Sequence, residues 1–167
     1  GEPSTTVAGE AFDTQPVVQV QDAYGNVITS SSASVTASIT TGTGTSGATL
    51  SGSTTVSASS GVGTFSGLSI DKAGSGYTLT ISSTGFTSTV TSEFSILSAS
   101  ASTLAFSVQP QGGTAGDTSA LSSTVVITDG LGNVITNAGS DITLAITSGT
   151  GDSSAELLGT ATVTAAN

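Results

Sequence analysis

The chain lacks the side chains on which most protein chemistry runs. It has no cysteine, methionine, histidine or tryptophan, and a single basic residue, Lys72, stands against eleven carboxylates. Without cysteine there are no disulfide staples and no thiolate metal sites. Without histidine as well, the Ser-His and Cys-His nucleophile pairs cannot be built. The scattered acids mark no glycosidase cleft, so the chain reads as a non-enzyme that requires no cofactor. A formal charge of -10 leaves almost nothing to neutralise a phosphate backbone, which excludes nucleic acid as a partner. No apolar run approaches the roughly 20 residues of a membrane-spanning helix. The first residues lack the basic and apolar regions of a signal peptide, so any export signal or anchor is expected outside this stretch. Few amines and no sulfur suit exposure to proteases and oxidants outside a cell.

Serine and threonine supply 62 residues. With lysine and glutamate scarce, stable exposed helices are disfavoured and β-branched strand surfaces favoured. Mean hydropathy is positive at +0.29, and Val, Ile, Leu and Phe fall in short regular clusters. Both features oppose disorder. The expected class is all-β.

The chain also repeats itself. Residues 1–60 align without a gap onto residues 108–167, with 23 identities. Asp22, Gly25, Asn26, Val27, Ile28 and Thr29 recur as Asp129, Gly132, Asn133, Val134, Ile135 and Thr136. A period of this length fits one complete β-sandwich domain rather than a solenoid turn. Residues 1–99 are expected to form a first repeat lacking its first strand. Residues 100–167 are expected to form a second repeat lacking its C-terminal strands.

Alternation orients the strands. Val18 and Val20 face a core while Gln19 and Gln21 face solvent, and Val125 and Ile127 match them in the second copy. Val35, Ala37 and Ile39 correspond to Ile142, Leu144 and Ile146, all expected inward. Further strands are expected at Ala48–Leu50, Thr54–Ala58, Val62–Ile70, Gly76–Ser82 and Thr87–Ile96, with Tyr77, Leu79, Ile81, Phe94 and Ile96 inward. Glycine and small polar residues break them. About seven short strands per period predict two packed sheets. Leu104–Val108 opens the second copy as an apolar strand, and its first four residues have no counterpart in the first. An incomplete sandwich exposes a groove that a strand from elsewhere can fill, so copies of the chain or adjacent repeats are the expected partners.

The strongest local motif is Asp-x-x-Gly-Asn-Val-Ile-Thr. Its structural reading is a turn in which glycine takes positive φ and the aspartate accepts backbone N–H groups. Its functional reading is calcium, with Asp22, Asn26, Asp129 and Asn133 as candidate ligands and Asp141 as a further oxygen source. Calcium needs six to eight oxygens, which these residues supply only in part, and the spacing is not that of an EF-hand loop. Asp71, Asp152 and Glu156 lie in or beside loops. Lys72 reads as a solvated turn residue, the alternative being an amide crosslink. Tyr24, whose copy is Leu131, is expected to cover the end of a core.

The segments Val20–Val27, Ser34–Ile39, Gly61–Phe65 and Ala73–Leu79 together resemble the bacterial immunoglobulin-like repeats of invasin- and intimin-type surface proteins. The resemblance implies tandem immunoglobulin-like β-sandwich domains in an extracellular or cell-surface stalk, fibre or filament. The function expected from it is that of a structural repeat, self-assembling by strand complementation between subunits. The alternative is an adhesive module that binds a host protein or glycan through loops such as Tyr24–Asn26 or Thr41–Gly47.

Overall fold

The computed structural model describes residues 1–116 and 123–166. Residues 117–122 and Asn167, which fall within the expected second repeat, lie outside the described residues. The chain divides into two compact units, Gly1–Ala99 and Ser100–Asn167. Every regular element among the described residues is a strand.

The first unit contains β1 (Thr6–Val7), β2 (Val17–Gln19), β3 (Ser34–Ile39), β4 (Leu50–Ser51), β5 (Thr55–Ser57) and β6 (Val62–Thr64). These are followed by β7 (Ser69–Ile70), β8 (Gly74–Tyr77), β9 (Leu79–Ser82), β10 (Thr89–Val90) and β11 (Phe94–Leu97). They form a three-stranded sheet β1-β11-β8, a four-stranded sheet β10-β9-β3-β5, and the two-stranded ribbons β2-β6 and β4-β7. The second unit contains β12 (Thr103–Val108), β13 (Thr124–Thr128), β14 (Asp141–Thr143) and β15 (Thr162–Thr164), paired as two ribbons, β12-β13 and β14-β15.

This architecture corrects the expectation of tandem immunoglobulin-like β-sandwiches. The fold is all-β, but its sheets are small, fragmented and unclosed. The physical reason is strand length. Expected strands break in two: Val62–Ile70 at Gly67, where φ is 64°, and Gly76–Ser82 at Thr78. Thr87–Ile96 divides into β10 and β11, and a register shift interrupts the β8-β11 ladder. β1 joins β11 in parallel, and the described strands pair as six separate sheets rather than two continuous layers.

Burial nevertheless follows the apolar pattern in the first unit. Val20, Val35, Ala37, Phe65, Leu68, Ile70, Leu79 and Ile81 are all buried, as are Tyr77, Phe94 and Ile96. Phe94 meets Phe12 edge to face at 5.4 Å between centroids and stacks on Tyr77 at 6.0 Å, contacts that add directional preference to area burial. The buried Tyr77 hydroxyl donates to the Lys72 carbonyl at 2.8 Å. Gln15 stands in for a missing strand: its Oε1 accepts the Leu68 N–H at 2.9 Å, and its Nε2 donates to the carbonyls of Phe12 and Leu68.

The second unit repeats the local structure without the cover. Pairs Ser34–Ser57, Val35–Val56 and Thr36–Thr55 recur as Asp141–Thr164, Ile142–Val163 and Thr143–Thr162. The Thr36–Thr55 hydroxyl bond of 3.0 Å recurs between Thr143 and Thr162 at 2.9 Å. Leu144 and Ile146, expected inward, are 37% and 43% exposed. In the first unit β9 flanks β3 on the edge away from β5; among the described residues β14 pairs with β15 alone. Ile127 is the buried apolar residue of this unit.

Candidate functional site

The Asp-x-x-Gly-Asn motif closes the same turn twice. Asp22 donates its N–H to the Asn26 carbonyl at 2.9 Å, and Gly25 donates to the Asp22 carbonyl at 3.1 Å. Asp22 Oδ1 accepts the backbone N–H groups of Tyr24 and Asn26, each at 2.9 Å, and Asn26 Nδ2 donates to Oδ2 at 3.0 Å. Gly25 reaches φ of 85°, a region closed to most side chains. In the second unit Asp129 Oδ1 accepts the N–H groups of Leu131 and Asn133 at 2.9 Å, and Asn133 Nδ2 reaches Oδ2 at 2.9 Å. The first pair is exposed and the second buried.

Each carboxylate is thus surrounded by N–H donors. Hydrogen bonds to the charged form hold the Asp22 carboxyl below its ordinary range, first from the Asn26 side chain, then from the backbone of Asn26 and Tyr24. In both pairs the asparagine presents its amide nitrogen, not an oxygen, to the carboxylate. The structure brings Asp22 to Asn26 and Asp129 to Asn133, while Asp141 sits on β14 and accepts the Thr164 hydroxyl. Asp71 accepts the Thr49 N–H, and Asp152 is held below the usual carboxylate range by Ser154, side chain first. Among the described residues no group of three or more His, Cys, Asp or Glu gathers as a metal centre. What this geometry does chemically is lock a strand-to-strand turn.

The more distinctive feature is an open sheet edge. The Val20 N–H bonds to Gly61 and the Phe65 N–H to Pro16, and the register places Val18 opposite Gly63. In an antiparallel ladder, alternate residues point their polar groups to opposite sides. Residues 16, 18 and 20 therefore face β6, and residues 17, 19 and 21 face away. On that outer edge Val17 meets Gly1, giving its N–H to the Gly1 carbonyl at 3.1 Å and accepting from the terminal amine at 3.4 Å. Beyond this pair the edge runs along a groove of about 880 Å³. Val18, Val20, Val35 and Ile81 line it with the half-exposed Phe86 and Val90.

Sequence reasoning marked Gln19 and Gln21 as solvent-facing and expected an exposed groove, but did not identify their backbones as its edge. Phe86 and Val90 carried no signal. Tyr24, expected over a core end, is 92% exposed at the turn tip.

No protein-family model, curated protein or solved structure matches the chain. Together with the unclosed sheets, this overturns the resemblance to invasin- and intimin-type repeats, which rested on short Gly-, Thr- and Val-rich motifs that any turn-punctuated strand protein can carry. No helix of the described residues is long and apolar enough to cross a membrane.

Proposed function

We propose that this chain is a structural repeat of an extracellular fibre, stalk or surface layer, and that it assembles by adding strands across open sheet edges. The observation that supports this reading is the repetition of one local structure in its two units. The β3-β5 register recurs in β14-β15 and the Asp-x-x-Gly-Asn turn recurs with the same hydrogen bonds. In the second unit Leu144 and Ile146 are 37% and 43% exposed. Leu104, Phe106, Leu157, Leu158 and Val163 are exposed as well. Apolar surface of this extent marks an interaction face, and an unpaired edge beside it is a template for another strand. A chain so poor in titratable and nucleophilic groups is suited to bearing load rather than to chemistry.

Sedimentation and negative-stain imaging of the purified chain, with and without a calcium chelator, test the proposal. Concentration-dependent oligomers or filaments that survive chelation are expected, because the Asp22 and Asp129 turns are closed by N–H donors. A monomer at all concentrations defeats the assembly reading. A second reading, adhesion through loops, draws on the lone exposed Tyr24. In that case Tyr24→Ala would abolish attachment to a protein- or glycan-coated surface while leaving sedimentation unchanged.

A further inference from the structure

We infer that the Lys72–Ala73 peptide bond is a latent cleavage site for serine proteases that select basic residues, latched by the loop of residues 40–49 together with Tyr77 and exposed by local release of that loop. The inference is independent of the assembly reading. Lys72 is the one lysine in a chain with no arginine, so a protease whose specificity pocket carries a carboxylate finds a single acceptable side chain here.

Residues 71–73 form the whole connection between β7 and β8, and each of them is held from outside it. The Asp71 carboxylate accepts the Thr49 N–H at 2.7 Å. The Lys72 carbonyl accepts the Tyr77 hydroxyl at 2.8 Å, and the Ala73 carbonyl accepts the Thr45 hydroxyl at 2.7 Å. The last two bonds bracket the scissile peptide. Hydrolysis there begins when the protease's serine oxygen attacks the Lys72 carbonyl carbon and its oxyanion hole takes up the carbonyl oxygen. The C–N bond to Ala73 then breaks, the protease's histidine passes the serine proton to the leaving amine, and water releases Lys72 as a carboxylate. The oxygen that the oxyanion hole needs is the one Tyr77 already holds. The segment must also lie extended in the protease cleft. With β7 paired to β4 and β8 to β11, three residues between them cannot be drawn out while the latch is closed.

The latch is built to open before the core does. Residues 41–47 are exposed apart from the half-buried Thr43, and the loop turns through Gly42, Gly44 and Gly47 at φ of 82°, 64° and 75°. Between Thr40 and Gly47 it carries only threonine, serine and glycine. Its seat is made of close backbone approach and hydroxyl bonds instead: a Cβ at Gly44 would strike the Tyr77 ring, and one at Gly74 would strike the Thr45 hydroxyl. Thr43 adds a bond from its hydroxyl to the Thr40 carbonyl at 2.8 Å and accepts the Thr78 N–H at 3.3 Å. A segment held this way, without apolar burial of its own, opens at a lower free-energy cost than the fold as a whole.

Digestion of the full-length chain with trypsin, read by intact mass under denaturing conditions, tests the latch. Cleavage yields residues 1–72 and 73–167, whose masses sum to that of the chain plus one water. The folded chain is expected to be cut at least roughly a hundredfold more slowly than a free peptide of residues 66–78, because proteolysis follows the population of the open form. Thr45→Val and Tyr77→Phe each remove one hydroxyl donor and are expected to speed cleavage about two- to tenfold, the ratio that one hydrogen bond is worth. Because the opening is local, the cleavage rate should rise with urea far less steeply than global unfolding followed by tyrosine fluorescence. Cleavage of the folded chain at the peptide's rate would show that there is no latch. Unchanged rates in both variants would show that these bonds do not gate the site, and a urea dependence as steep as that of unfolding would show that only loss of the fold exposes Lys72. Any one of these three results overturns the inference.

Discussion

Val35 and Ile142 occupy the same place in the two units, and truncating each to alanine separates local structure from cover. Val35 is 3% exposed, opposite Val56 in the ladder and packed into the core of the first unit. Val35→Ala removes two methyl groups, about 1.6 kcal/mol at roughly 0.8 per buried carbon. A residual cavity of about 50 Å³ adds about 1 kcal/mol, giving roughly 2–3 kcal/mol in total. Ile142→Ala removes three carbons and would cost more if the site were equally closed. Ile142 is only half-buried, its ladder partner Val163 is 54% exposed, and no cavity can form at an open face. The expected cost is below about 1 kcal/mol, in the range of surface changes. The smaller deletion is thus predicted to be the more damaging one.

The two units can be read separately. Both tyrosines, Tyr24 and Tyr77, lie in the first unit, so tyrosine fluorescence in urea follows Val35→Ala. Amide exchange along β14 and β15 follows Ile142→Ala. Both measurements belong in dilute solution, where association is minimal. An Ile142→Ala cost equal to or above that of Val35→Ala in the dilute chain would show that the second unit's apolar face is already closed, and would refute the reasoning.

Gly61 has φ of 77°, and a Cβ there would run into the Ile28 carbonyl, whereas Gly25, at 85°, has open space around it. Gly25→Ala should therefore cost about 1–2 kcal/mol of backbone strain and Gly61→Ala clearly more, as measured by urea midpoints; equal costs would show that the Ile28 clash relaxes freely. Tyr77→Phe removes the 2.8 Å bond to the Lys72 carbonyl and is expected to cost about 0.5–1.5 kcal/mol; an unchanged midpoint would mean that water replaces the hydroxyl. Because the Asp22 carboxyl is lowered by its hydrogen bonds to Asn26 and Tyr24, its contribution is full above the ordinary carboxylate value and disappears as pH falls through the lower folded value. Amide protection of Tyr24 and Asn26 should therefore fall below about pH 4, and Asp22→Asn should flatten that dependence.

The sequence made the periodic features legible. Alternation correctly placed Val18, Val20, Tyr77, Leu79, Ile81, Phe94 and Ile96 toward the core, because a strand's two faces are separated by side-chain chemistry alone. The Asp-x-x-Gly-Asn turn was equally readable, since its closure is local and needs only the residues within it. Sheet continuity was not. Whether Val62–Ile70 stays one strand depends on the Gly67 backbone and on where β7 finds β4, which are long-range outcomes. The failure at Leu144 and Ile146 is of the same kind: their pattern is that of Ala37 and Ile39, but burial is conferred by the strands opposite, and those do not pack over β14. An exposed groove was expected, but which backbone forms its edge was not legible, because an edge consists of main-chain groups that no side-chain pattern reports.

Open edges usually invite indiscriminate pairing, and this chain carries several features that limit it. β2 is three residues long and is followed by the turn at Gly25, so a strand added there gains few bonds unless its side chains also fit the groove. The bulge between Phe106 and Val108 interrupts β12, which opposes the long flat stacking of cross-β aggregates. A net charge of -10 with one lysine makes every approach of two copies repulsive at long range. That repulsion decays within about 8 Å at physiological salt but reaches about 30 Å at low ionic strength. Contact therefore has to come from short-range apolar fit and main-chain pairing. Charge complementarity plays no part in such an interface, so added salt should strengthen association, the reverse of what an ion-paired contact would show.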